Sequence, residues 1–169
     1  MKRIVGAWVV ATLLGTAAPA AVENLEVSAD RFEHIEQEKR AVFEGHAHAI
    51  QGKSRIDADR FVVYFDAKGE AREYQALGHV HFEIIKPGRH IKGRCDRLIY
   101  KVAEETYRLI GHTRLKDLVN QRSMSGDEIF LDNKRGRASA ASHKKGPVKF
   151  VFPIKDATGS SKKSKKKKR

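Results

Sequence analysis

The dipeptide Gly-His recurs at a constant interval of 33 residues, which constrains the possible folds more than any other feature of the sequence. Its three copies are Gly45-His46, Gly78-His79 and Gly111-His112. A second unit alternates with it, an Asp followed two positions later by an apolar residue, with copies at Asp30, Asp59, Asp96 and Asp127. Self-similarity at a fixed interval indicates one supersecondary unit repeated along the chain. We therefore predict a string of similar hairpin units.

Apolar and polar residues alternate inside each unit, which is the periodicity of a β-strand. After Gly78, the residues Val80, Phe82 and Ile84 share one face and the residues between them are polar. The same phase follows the other two Gly-His pairs, and no stretch has a sustained helical pattern. The pattern predicts an all-β fold of roughly ten to sixteen short antiparallel strands with one apolar and one polar face. A sandwich, a barrel and a stacked jelly roll all satisfy it.

The two ends of the 169-residue chain differ in composition from the part between them. Residues 1–20 combine Lys2-Arg3, an apolar stretch and the small residues Ala18-Pro19-Ala20, a pattern typical of a cleaved signal peptide. Residues 155–169 are rich in Lys, carry nothing to bury and are predicted to be disordered. We predict that residues 21–154 form one β-domain and that the protein is exported.

The net charge of +13 belongs mainly to the two ends. Without the two cations of Lys2-Arg3 and the seven cations of residues 162–169, the charge of the remaining chain is +4. This value does not indicate a nucleic-acid-binding body, and export separates the protein from nucleic acid. The Lys-rich tail has two simple interpretations, a solubilising segment or a contact with an anionic membrane surface. Binding of another polyanion by an adaptor protein stays an alternative function.

Histidines and aspartates on the polar face raise the question of metal binding or catalysis. His46 with His48, and His79 with His81, each place two imidazoles on one strand face, a spacing that can chelate zinc or copper. A metal-binding protein is therefore an alternative, although a solvent-facing polar row is the favoured interpretation of these positions. No sequence motif of an enzyme is present. We expect no catalysis and no cofactor, and a structural role for the repeat Asp residues and for Cys95, the single cysteine.

Several segments resemble the periplasmic lipopolysaccharide-transport bridge proteins, the LptA or OstA-like family. They include Val27-Ser-Ala-Asp30, the run from Ile56 to Tyr64, the run from Ala76 to Phe82, and the run from Tyr107 to Gly111. The resemblance covers roughly residues 25–140, and it depends on the order and spacing of the segments rather than on one motif. It implies a splayed antiparallel β-jelly roll built from repeated short hairpin units.

The resemblance also implies a function, the shielding of lipopolysaccharide acyl chains in an apolar groove. Protomers of such a family join head to tail and connect inner-membrane-anchored partners with outer-membrane partners. From the family pattern and the apolar strand phase, the candidate groove residues are Leu25, Val27, Phe43, Phe61, Val63, Val80, Phe82, Leu98, Tyr100, Val102 and Leu115. Charge alone suggests that lipid phosphates meet Arg55, Arg60, Lys86 and Arg89 at the groove rim. Periodicity by itself favours a solid apolar core over a groove.

Overall fold

Ten β-strands account for most of the chain in the computed structural model, which describes residues 24–143 and 146–154. The predicted signal peptide (residues 1–20) and tail (residues 155–169) lie outside the described residues. The strands are Leu25–Ser28 (β1), Arg31–Ile35 (β2), Arg40–Gln51 (β3), Ser54–Phe65 (β4), Ala71–Lys86 (β5), Arg89–Lys101 (β6), Thr106–Asp117 (β7), Arg122–Asp132 (β8), Arg137–Ala141 (β9) and Lys149–Val151 (β10). A 3₁₀ turn at Glu36–Glu38 is the single helical element of this described part, and nothing in it could span a membrane as a helix. The all-β prediction is confirmed.

The strands form one open antiparallel sheet in which consecutive long strands are neighbours. Strands β3 to β8 pair in chain order, each joined to the next by a hairpin turn. At one end of the sheet β1 and β2 both pair with β3, and at the other end β9 and β10 both pair with β8. The sheet therefore ends in two short strands on each side, and the predicted repeat of hairpin units is its building principle.

Each long strand is interrupted near its middle by a shift in register at the repeat motifs. Gly45-His46 on β3, for example, lies opposite the single residue Asp59 of β4, because Glu44 pairs with Arg60 and Ala47 pairs with Ala58. This is a β-bulge, which bends a strand and increases its twist. Equivalent shifts follow Leu77 and Ile110. The shifts form a line across the sheet, called the bend, along which the sheet folds over.

The bend divides the sheet into two layers whose inner faces meet. Layer A contains β2, β9 and residues 40–44, 60–65, 71–77, 97–101, 106–110 and 128–132. Layer B contains β1, β10 and residues 47–51, 54–58, 80–86, 89–94, 113–117 and 122–126. One hydrophobic cluster contains residues from both layers. The hairpin turns lie at the opposite edge from the bend, and we call this edge the mouth.

The space between the layers is filled near the bend and loosens toward the mouth. Close to the bend, Ala76, Val80 and Ile129 have no exposed surface. One row nearer the mouth, Tyr74 and Tyr100 are only partly buried against the same cluster. The two outcomes left open by the periodicity, a solid core and a groove, are therefore both present at different depths.

The outer face of layer A departs from the predicted polar pattern. Val42 and Val62 face each other across β3 and β4, in the opposite phase to the inward-facing Phe61 and Val63. Both valines are 3% exposed, although neither belongs to the core cluster between the layers. The prediction of one consistently polar face is wrong here, because consecutive residues 61–63 are all buried and therefore both strand faces are covered at this point.

Candidate functional site

Two cavities are found between the layers in the part of the chain that the structure describes. The larger has a volume of about 220 Å³ and is lined by both layers, among them Ile56 and Ile84 of layer B and Tyr74 and Tyr100 of layer A. The smaller has a volume of about 30 Å³. Its lining includes Tyr107, which borders both cavities. An apolar pocket with a few polar groups in its wall is the usual form of a small-molecule binding site.

Three tyrosines form a row on the inner face of layer A, at the side of the groove nearer the mouth. Tyr74 on β5, Tyr100 on β6 and Tyr107 on β7 are direct cross-strand partners. The ring centroids are 6.1 Å apart for the first pair and 4.3 Å apart for the second, and both pairs are stacked. Burial raises the pKa of the Tyr107 hydroxyl to about 12 and raises the pKa of Tyr74 and Tyr100 as well.

All eleven candidate groove residues lie on the inner surface, at different depths. The larger cavity is lined by Leu25, Phe61, Leu98, Tyr100 and Val102. Phe82 and Leu115 line the smaller cavity, which Leu98 also borders. Val63 and Val80 are buried in the core cluster, and Val27 and Phe43 pack against it. The structure therefore brings the predicted set together, and only its lipid-binding role stays a prediction.

Sequence reasoning did not select several residues that line the cavities. Tyr74, Tyr107, Ile56, Ile84, Ile91, Leu109 and Leu131 belong to this group. Alternation could have selected Ile84, which shares the inward phase of Val80 and Phe82. Tyr74 and Tyr107 are identified only as register partners of Tyr100. Strand register was the missing information, since it connects residues that are 26 positions apart in sequence, such as Tyr74 and Tyr100.

Three of the four candidate phosphate-binding cations lie at the mouth, on the edge of layer B. Arg55 donates to Glu83 at 3.0 Å. Arg89 donates to the side-chain oxygen of Asn133 at 2.9 Å, a bond that joins layer B to a turn of layer A. Lys86 is exposed beside the turn at residues 87–88. These three positions are compatible with the predicted rim.

Arg60 is not at the mouth. It lies next to the bend, where it faces Glu44 across the strands with a nitrogen–oxygen distance of 3.4 Å. The structure therefore does not place Arg60 on the rim suggested by its charge. The error arose because charge alone carries no information about which end of a strand borders the opening.

The histidines of the repeat are held by the Asp of the preceding repeat unit. Nδ1 of His46 is 2.7 Å from Asp30, and the corresponding distances are 2.8 Å for His79 and Asp59 and for His112 and Asp96. The hydrogen bond to Asp raises the pKa of His46 and of His79. The Asp residues thus hold the bend, as their predicted structural role requires.

The paired histidines of each strand do not converge on one point. His48 bonds to Asp57, and His81 bonds to the carbonyl of His79. Within residues 24–143 and 146–154, no group of three or more His, Cys, Asp or Glu side chains is arranged to hold a metal ion. His46, His48, His79 and His81 each have a hydrogen-bond partner within the protein instead.

Cys95 is buried beside the bend on β6. Burial raises the pKa of its thiol to about 12. A thiol acting as nucleophile needs the opposite, a lowered pKa and access to solvent. The environment of Cys95 therefore fits the predicted structural role.

Comparison with known proteins supplies an independent line of argument. A family model described as LptA/(LptD N-terminal domain) LPS transport protein matches residues 26–137. A crystal structure of LptH, described as the LptA homologous periplasmic component of the lipopolysaccharide transport device from Pseudomonas aeruginosa, is similar with a TM-score of 0.68. The match has 17% sequence identity and covers 78% of this chain and 96% of that chain. A search of curated protein sequences returns no significant match.

The structural similarity to LptH confirms the predicted jelly-roll fold. The family model matches considerably more than half of the sequence. The segments that carried the resemblance, such as Ile56 to Tyr64 and Ala76 to Phe82, lie inside the matched range. The protein has a role in lipopolysaccharide transport, and this chain belongs to the LptA/LptD N-terminal domain family of lipopolysaccharide transport proteins.

Proposed function

We propose that this protein binds the acyl chains of lipopolysaccharide between its two layers and carries the lipid across the periplasm without catalysing a reaction. One observation supports the proposal above all. The apolar inner faces, packed near the bend, leave a cavity of about 220 Å³ toward the mouth that is lined by the residues expected of a groove. A closed sandwich core would have no such space.

The physical task of such a carrier is to keep hydrocarbon out of water. Each exposed CH₂ group costs about 0.8 kcal/mol, so a tetradecanoyl chain left in water would cost on the order of 10 kcal/mol. An apolar groove removes most of this cost without any covalent step. The affinity has to be moderate, because a carrier must release its lipid to the next partner.

The cations at the mouth suit the phosphates of the lipid head group. The partner of Arg89 is the neutral side chain of Asn133, so the positive charge of the guanidinium is not neutralised by this bond. Lys86 lies on the same hairpin, next to the same opening. Arg55 shares the carboxylate of Glu83 with Lys92. We assign phosphate contact to Arg55, Lys86 and Arg89, and not to Arg60.

We further propose that copies join head to tail, forming part of a bridge from inner-membrane-anchored to outer-membrane partners. The described sheet is open, and its terminal strands β1 and β10 lie at opposite edges of layer B. Unpaired edge strands are pairing sites for another chain. Phe150 and Val151 on β10 are each 47% exposed, which leaves apolar surface at that edge. Pairing of β10 with β1 of a second copy would continue the groove.

Photo-crosslinking in living cells tests the lipid contact. A photoreactive amino acid at Tyr100, which lines the larger cavity, should form an adduct with lipopolysaccharide. The same probe at Lys68, in the turn between β4 and β5, should form none. The absence of an adduct at Tyr100 in folded, exported protein would contradict a lipid groove.

Two valines provide a matched pair of substitutions. Val102 and Val119 both lie in turns, but Val102 lines the larger cavity and Val119 lines neither of the two cavities described above. Val102→Asp should abolish lipopolysaccharide binding, because it places a charge in the apolar wall. Val119→Asp should bind like the wild type. Equal binding by the two variants would count against this cavity as the binding site.

The self-association proposal has its own test. Lysine on an exposed edge strand prevents edge-to-edge pairing. Light scattering should therefore show concentration-dependent oligomers of the wild type and monomers of Val151→Lys. Oligomers of unchanged size in Val151→Lys would exclude β10 as the joining edge.

The Lys-rich segment stays a separate prediction. Deletion of residues 155–169 should weaken binding to anionic vesicles and leave lipopolysaccharide binding unchanged. If the deletion instead abolished all lipopolysaccharide binding, the polyanion-binding alternative would replace the groove.

A further inference from the structure

The inner surface of layer A changes chemical character between two adjacent rows. The deeper row runs Phe61, Ala76, Leu98, Leu109, Ile129 in cross-strand register and is entirely apolar. The next row toward the mouth runs Val63, Tyr74, Tyr100, Tyr107, Leu131. Three phenol hydroxyls therefore lie on consecutive strands beside an apolar wall, roughly 5 Å apart along the groove as strand spacing dictates.

These hydroxyls are not fully used within the protein. Tyr100 and Tyr107 lie close enough to shift each other's pKa, and a hydrogen bond between the two hydroxyls would use only one of their two O–H donors. No protein hydrogen bond of the Tyr74 hydroxyl is found among the described residues. Buried or half-buried tyrosine hydroxyls normally have a partner, so the row offers donors to a ligand in the groove.

The charged groups around the row lie at the mouth. Arg89 lies close enough to Tyr107 to lower the pKa of that hydroxyl, against the larger raising effect of burial. Glu105 acts in the raising direction from the turn after β6. From the bend outward, the groove thus changes from hydrocarbon to hydroxyl to charge. An acylated lipid has the same order, with its alkyl chain followed by a carbonyl and then by a charged head group.

We propose that the hydroxyls of Tyr74, Tyr100 and Tyr107 form a polar seam that donates hydrogen bonds to the ester and amide carbonyls at the head of an acyl chain. The inference rests on the proposed lipid-binding function and deepens it. The apolar row holds the chain, while the seam fixes the depth at which the chain ends. The groove would then distinguish acyl lipids from plain hydrocarbon of equal length.

Conservative substitutions test the seam, because Phe keeps the stacked rings and removes only the hydroxyls. The triple variant Tyr74→Phe, Tyr100→Phe, Tyr107→Phe should bind purified lipopolysaccharide about tenfold more weakly, equivalent to about 1.4 kcal/mol. Its binding of an apolar naphthylamine dye should equal that of the wild type. Tyr64→Phe is the matched control, because Tyr64 lies outside both cavities, near Arg72.

A pair of lipids locates the contact on the carbonyl itself. The wild type should bind a short-chain diester phospholipid about tenfold more tightly than the ether analogue that lacks both carbonyls. The triple variant should bind the two lipids equally, and Tyr100→Phe alone should show a reduced preference.

The outcomes separate the two proposals. An ester preference that persists in the triple variant, or unchanged lipopolysaccharide binding by it, would overturn the seam and leave the carrier function intact. If the wild type bound no lipopolysaccharide, both proposals would fail.

Discussion

The ring of Phe82 lies against Gly93 on the neighbouring strand. It occupies the space that the Cβ of any other residue at position 93 would need. The two residues are direct partners of β5 and β6. A Cβ at position 93 would be 2.3 Å from Cζ of Phe82 and 2.6 Å from the carbonyl oxygen of Arg114. Gly93 thus sets the position of the ring that lines the smaller cavity.

Gly93→Ala should therefore destabilise the protein by about 1–3 kcal/mol, the usual cost of overpacking. Chemical denaturation measures the loss. The same Gly93→Ala change should cost less stability when it is made in a Phe82→Leu variant, because the smaller side chain relieves one of the two contacts. Strictly additive losses would show that the contact with Phe82 is unimportant.

The bend requires glycine for two reasons that a pair of variants can separate. Gly78 has φ +76°, and a Cβ there would be 2.2 Å from Oδ2 of Asp59. Gly69 has φ +82° with nothing within 4 Å of the same position. Gly69→Ala should cost only the backbone strain, about 1–2 kcal/mol. Gly78→Ala should cost about 1 kcal/mol more than Gly69→Ala, because its Cβ also collides with Asp59. Equal losses in denaturation experiments would mean that the carboxylate moves aside freely.

The pairing of His79 with Asp59 should make stability depend on pH. The hydrogen bond to Asp59 raises the pKa of His79 above its ordinary value of 6.5. A histidine whose pKa is higher in the folded than in the unfolded state stabilises the fold fully at pH values below its unfolded pKa. This stabilisation is lost as the pH rises through its folded pKa. His79→Gln should therefore lower the free energy of unfolding more at pH 5.5 than at pH 9. Asp59→Asn should likewise reduce the dependence of stability on pH. If His79→Gln lowered the free energy of unfolding by the same amount at both pH values, the pairing would be contradicted.

Cys95 offers a direct probe of the packed region near the bend. Burial raises the pKa of its thiol to about 12, so the thiolate is scarce and shielded at pH 8. Folded protein should react with a thiol-specific alkylating reagent far more slowly than protein in concentrated guanidinium chloride. The reaction is followed by mass spectrometry. Rapid modification of folded protein would show that layers A and B separate locally at β6.

Much of the fold could be predicted because the repeated pattern is visible in short stretches of the sequence. Alternation after Gly78 identified Val80 and Phe82 as inward-facing, and both are buried. The interval of the Gly-His pair likewise marked each repeat unit, because alternation and repeats can be recognised without knowing the partner strand. The bulge at Gly78 and His79, where His79 has φ 45°, became visible only in the structure.

Features that depend on pairing were not predictable in the same way. The seam formed by Tyr74, Tyr100 and Tyr107 exists only because strand register aligns three separate hairpins. Arg60 was misplaced for the same reason, since its distance from the mouth depends on where β4 bends. The burial of Val62 on the outer face of layer A likewise does not follow from a simple alternation.

The sequence by itself determined the strands and the apolar face, because alternation depends on residues close together in the chain. Only the tertiary structure decided how far the two apolar faces close. Near the bend Ala76 and Val80 have no exposed surface, whereas the tyrosine row borders a cavity of about 220 Å³. The reason is geometric, because two layers joined along one edge are closest at that edge and separate with distance from it. How far they separate depends on the angle between the layers, which the alternation of residues does not encode.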